Sequence, residues 1–108
     1  MRLTDQQKND IISAIKKFLP PGQKTRIYLF GSRTQDNLKG GDLDLIILLQ
    51  NEQQAKLLMT SDYKITAEIK KQKSIDDQRV DLKIIGPSEK NSPFFIEAFK
   101  KSILLEEI

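Results

Sequence analysis

The sequence contains no cysteine and no histidine. Without cysteine there is no disulfide framework, no thiolate zinc site and no cysteine nucleophile, and nothing supports secretion. Without histidine there is no Ser-His-Asp triad, no HExxH zinc site and no imidazole proton shuttle. Metal chemistry is thereby restricted to carboxylate, carbonyl and water oxygens, which suit Mg²⁺, Mn²⁺ or Ca²⁺. The longest unbroken apolar run, Leu45 to Leu49, is far too short to span a bilayer. The opening Met1-Arg2-Leu3-Thr4-Asp5 has no apolar signal stretch. The expectation is a soluble cytoplasmic protein without membrane association. Aromatics make up 6% of the chain, which leaves few platforms for stacking bases, and no RNA-recognition signature is present.

What is present fits one small folded unit. The 108 residues suit a single domain over 1–108, long enough to bury a core without disulfides or a structural metal. Charged residues reach 31% against 38% apolar, a globular composition with a generous solvated surface. The net charge of +3 favours anionic partners only weakly, so no specific nucleic-acid binding is expected. The cluster Lys70-Lys71-Lys73 reads as a solvated helix end carrying C-terminal cations.

Thr4 and Gln7 form a capping-box pattern that opens a helix, with Ile11, Ile12, Ile15, Phe18 and Leu19 at helical spacing. Pro20-Pro21-Gly22 stops it, and Arg26 to Phe30 reads as a strand ending at Gly31-Ser32. A polar stretch runs from Arg33 to Gly41 before the strongest strand in the chain, Asp42 to Leu49. Its first half alternates and its second half is continuously apolar, as in a strand entering a core. Glu52 to Lys73 is helical, with Thr60-Ser61-Asp62 able to stop one helix and cap another. Arg79 to Ile85 alternates, with Arg79, Asp81 and Lys83 on one face and Val80, Leu82 and Ile84 on the other. Helix is expected after Pro93; the tail from Ile103 either extends that helix or forms a last strand. The fold class is α+β, a mixed sheet of three to five strands with helices packed on one face.

Asp42 and Asp44 are two apart on a strand, so both side chains leave one face, with Cα atoms about 6.5–7 Å apart. Asp81 lies on the polar face of another strand. Were the strands neighbours, three carboxylates would converge, and two such charges about 6 Å apart repel by roughly 2.8 kcal/mol at an effective dielectric near 20. A bound cation removes that cost. Ordinary acids on a wet sheet face are the competing reading, but Asp is depleted in strands and these two head the most apolar segment of the chain. Gly31-Ser32, between a strand and a helical start, can offer backbone N–H groups and a hydroxyl to a phosphate, with Arg33 adding charge. Pro21-Gly22-Gln23-Lys24-Thr25 is not a P-loop: it lacks the glycine spacing and runs from helix to strand.

In order, strand, Gly31-Ser32, Asp42-Leu43-Asp44-Leu45 and Val80-Asp81-Leu82 resemble the DNA polymerase β-like nucleotidyltransferase superfamily, and within it the short minimal nucleotidyltransferases (MNT). The resemblance covers about Ile27 to Ile85. It implies that Asp42 and Asp44 bind metal, that Asp81 is the third carboxylate beside the attacking hydroxyl, and that Gly31, Ser32 and Arg33 hold the triphosphate. It implies two Mg²⁺ ions, with Mn²⁺ as a substitute, and in-line attack on the α-phosphate with release of pyrophosphate. The chain departs from the pattern at Gly41, where many minimal members have Ser, at Gln35 in place of a second basic residue, and at Asp36 in place of a glycine. Lys39 is the loop cation available to compensate.

The resemblance also supplies the expected partners. A chain this short is expected to hold only the catalytic palm, so self-association or a partner protein would complete the site. Minimal members are commonly paired with a HEPN-domain toxin, and in the best-understood pairs AMP passes from ATP to a toxin tyrosine. The implied function is therefore an adenylylating antitoxin. The alternative is a non-catalytic antitoxin that neutralises its partner by binding, with Phe94, Phe95, Phe99, Ile103 and Leu104 as docking residues; helical spacing favours core packing for that segment. Nucleotidylation of a small molecule such as an aminoglycoside is disfavoured, since nothing here forms a separate substrate-binding domain.

Overall fold

The computed structural model describes residues 3–22, 24–30, 43–75 and 79–108. The first helix, α1, spans Asp5–Lys16 and starts as its sequence requires. The Gln7 N–H donates to Thr4 Oγ1 at 3.1 Å and the Thr4 N–H donates to Gln7 Oε1 at 3.0 Å, a reciprocal capping box. Ile11, Ile12 and Ile15 are buried, while Phe18 and Leu19 lie past the helix end and pack at the edge of the core. Gly22, at φ +75°, turns the chain towards the sheet in a conformation that favours glycine.

The sheet has four strands in the order β3-β2-β1-β4. β1 (Thr25–Phe30) is antiparallel to β2 (Leu43–Leu49) and to β4 (Ile103–Glu107), whereas β3 (Val80–Ile85) is parallel to β2. Parallel neighbours need a long crossover. Here two helices provide it, α2 (Glu52–Met59) and α3 (Asp62–Lys70), separated at Thr60-Ser61 as the sequence suggested. Ser61 makes no side-chain cap, so the break rests on the Thr60 hydroxyl, which donates to the Leu57 carbonyl, and on the Ser61 carbonyl, which accepts from Ile65. Two further helices follow β3: a short α4 (Pro87–Lys90) and then α5 (Pro93–Lys100). The tail is a strand, not a continuation of α5.

Alternation along the strands divides the apolar residues between two faces. Leu43, Leu45, Ile47 and Leu49 join Ile27, Leu29 and Ile84 and the buried faces of α1, α2 and α3 in the main core. Ile46, Leu48 and Ile85 point the other way and pack with Phe95 of α5, flanked by Tyr28, Phe30, Ala98 and Phe99. The expectation of helices on one face thus holds for α1–α3 and is extended by α5, which covers part of the opposite face. Burial on both sides is why β2 is continuously apolar from Leu45 onward. Within the C-terminal aromatic segment Phe95 is core, while Phe94 and Ile96 are exposed. Among the described residues no helix is long and apolar enough to cross a membrane.

One contact shows how tertiary structure completes local structure. Gly86, the N-cap of α4, has no side-chain acceptor, and Pro87 has no N–H. The first available N–H, that of Ser88, donates instead to the carboxylate of Glu52 at the start of α2. That bond holds the Glu52 carboxyl below its ordinary pKa. A Cβ on Gly86 would lie 2.8 Å from Glu52 Cδ, so the glycine makes room for the borrowed cap. Glu52→Gln and Gly86→Ala are each expected to lower the melting temperature slightly, and the double mutant to be no worse than either alone. Because the folded pKa is depressed, this contribution is complete above the unfolded value and is lost as pH falls through the folded one. Urea melts from pH 7 down to pH 3 should show a correspondingly shallower loss of stability in Glu52→Gln.

Candidate active site

β2 and β3 run side by side in a register that pairs Leu43 with Val80, Asp44 with Asp81 and Leu45 with Leu82. The ladder starts one residue earlier, where the Leu43 N–H donates to the Arg79 carbonyl at 2.8 Å. Neighbouring strands are about 4.8 Å apart and paired residues share a face, so the Asp44 and Asp81 side chains leave the sheet together. On the other flank of β2, Phe30, the last residue of β1, pairs with Asp44. One row across the sheet therefore reads Phe30, Asp44, Asp81, at the end where β1 finishes and both parallel strands begin.

Position in the sheet sets the exposure of each acid. Asp44, on a central strand, is half-buried. Asp81, on the edge strand, keeps 52% of its side chain exposed and is open to a second reactant. Lys83, two residues on and on the same face, places Nζ 3.5 Å from Asp81 Oδ2. The same ammonium lies 5.9 Å from the ring centroid of Phe94. Lys83 thus links the acid row to an open groove of about 510 Å³ lined mainly by Phe30, Pro93, Phe94 and Ala98. Sequence reasoning put Lys83 on the polar face of its strand without giving it a role; its i+2 spacing from Asp81 was the available signal.

Of the residues singled out from the sequence, Asp44 and Asp81 are brought together. Gly31, Ser32, Arg33 and Asp42 lie outside the described residues. Among the described residues no three potential metal ligands cluster, since only two of the three acids fall within them. The donor set among the described residues is two carboxylates on adjacent strands, all oxygen, which fits a hard divalent cation.

The family model of the nucleotidyltransferase domain matches residues 9–107, nearly the whole chain. This chain belongs to the nucleotidyltransferase domain family. The match extends well beyond the segment carrying the acids and takes in α1 from Asn9 onward, α5 and β4. Among curated proteins none matches it. The four-stranded mixed sheet with helices packed on it is the architecture of the polymerase β-like superfamily. Its general chemistry is nucleotidyl transfer from a nucleoside triphosphate.

Proposed function

We propose that this nucleotidyltransferase domain moves AMP from ATP to a protein hydroxyl, a tyrosine of a HEPN-domain toxin, and so acts as an antitoxin. The observation that carries the transfer chemistry is the pairing of Asp44 with Asp81 in a chain matched along its length by the family model. Asp81 on an exposed edge, beside an open groove, supports an acceptor as large as another protein.

In this reading the acceptor oxygen forms a bond to the α-phosphorus as the bond from that phosphorus to the β-bridging oxygen breaks. Pyrophosphate leaves with the electron pair, and the acceptor's proton is lost to a nearby base or to water. Asp44 and Asp81, with Asp42 two positions before Asp44, would hold Mg²⁺. When bound, the ion neutralises charge on the phosphates and makes the acceptor oxygen more nucleophilic. Asp81 faces the incoming hydroxyl, and Asp44, deeper in the sheet, orients the triphosphate. Gly31, Ser32 and Arg33 are the proposed triphosphate contacts.

The test is incubation with α-³²P-labelled ATP and Mg²⁺, with and without the protein encoded by the neighbouring gene, using Asp42→Ala/Asp44→Ala as control. Label on the partner that disappears with the double mutant is the expected result. No transfer from any of the four triphosphates, with tight partner binding that survives the mutation, would replace it with a non-catalytic antitoxin.

A further inference from the structure

At the far end of the sheet from the acids, a small cavity of about 160 Å³ opens where β1 and β4 meet the end of β2 and α4. Lys24 and Arg26, on either side of Thr25 in one stretch, and Lys90 of α4 line it, together with the exposed Gln50. Glu107 is its one acidic lining residue, so the formal charge of the lining is three positive against one negative. Glu107 pairs with Arg26 through a 3.3 Å contact in which both side chains are about half exposed, a bond too solvated to neutralise the site. Among the described residues Lys24 and Lys90 have no ion-pair partner. Along β2 this cavity, at residues 48–50, lies roughly 13–20 Å from Asp44, at about 3.3 Å per residue. It is therefore separate from the acid row.

We infer that this cavity is a binding site for a small phosphate-class oxoanion, orthophosphate or pyrophosphate, held by Lys24, Arg26 and Lys90. Three cations lining one small cavity suit phosphate oxygens, and a guanidinium such as that of Arg26 can meet two of them at once. The volume amounts to about five waters at roughly 30 Å³ each, enough for such an anion but below the several hundred cubic ångströms usual for larger ligands. Glu107 competes with the anion for Arg26 and sets the affinity low. The arrangement is not a P-loop, since Lys24 leads into a strand. The inference is independent of the proposed transfer reaction.

The experiment is an amide NMR titration of the full chain with orthophosphate and, separately, pyrophosphate, without Mg²⁺ and against chloride at matched ionic strength. Saturable shifts centred on Lys24, Arg26, Gln50 and Lys90 are expected, with a Kd on the order of millimolar, as a few exposed charge-assisted contacts would give. Lys24→Ala and Lys90→Ala should each weaken binding about tenfold, the loss of one charge-assisted bond. Glu107→Gln should tighten it about fivefold by freeing Arg26, a gain that misfolding cannot imitate. The higher charge of pyrophosphate should make it the tighter of the two arms. Shifts that chloride reproduces, that spread over all lysines without saturating, or that ignore these three substitutions would overturn the inference.

Discussion

Asp44→Asn and Asp81→Asn are each expected to reduce nucleotidyl transfer by about a thousandfold or more while leaving the chain folded. Asparagine keeps the volume of each side chain, removes its charge and replaces one acceptor oxygen with an NH2 donor. Charge is what the proposed cation requires: a loss of about 4 kcal/mol of transition-state stabilisation corresponds to three orders of magnitude in rate. Two carboxylates about 5 Å apart repel by roughly 3 kcal/mol at an effective dielectric near 20, before neighbouring cations are counted. Removing one relieves that repulsion, which offsets the lost Lys83 contact in Asp81→Asn. Transfer of labelled AMP measured beside a thermal melt separates the two effects. Retention of more than a tenth of the activity in either variant would mean that the row pairing Asp44 with Asp81 is not the reacting centre. Loss of activity together with loss of folding would assign the acids to structure.

The largest stability effect is expected at Ile47. Its side chain is fully buried, in the middle of β2, between Ile27 of β1 and Ile84 of β3. Ile47→Ala leaves a cavity that three paired strands cannot readily collapse, at a cost of about 2–5 kcal/mol. Small domains are stable by only about 5–15 kcal/mol in total, so the variant falls to the margin of folding. At roughly 4–8 °C per kcal/mol for a chain near this length, the melting temperature drops by about 8–40 °C. Ile47→Val should cost only about 0.5–1.5 kcal/mol. Leu104→Ala, on the edge strand with its side chain nearly half exposed, should stay within about 0.5 kcal/mol. Urea titrations of the three variants give this ranking directly. A cost at Ile47 below about 1 kcal/mol would show that the sheet does not pack as described.

The parts of this protein that its sequence determined are those governed by neighbours in the chain. Thr4 and Gln7 specify the start of α1 because both halves of a capping box lie within one helical turn. The strand from Leu43 to Leu49 follows from its run of branched and apolar residues, and the break between α2 and α3 from polar residues at Thr60-Ser61. The two-residue spacing of Asp42 and Asp44 leads to the expectation of a shared face, because side chains alternate along any strand, but Asp42 lies outside the described residues. Tertiary structure decided what depends on which segments become neighbours. The tail from Ile103 is apolar at positions that suit either a helix or a strand, and pairing with β1 makes it β4. Glu52 caps α4 from 36 residues away. Lys90 of α4 joins Lys24 and Arg26 at one cavity although more than sixty residues separate it from them. Above all, Asp44 stands beside Asp81 because β3 joins β2 in parallel. That registration is fixed by burying Val80, Leu82 and Ile84 against α2, α3 and the odd-numbered residues of β2, since a slip of one residue would turn them to the opposite face.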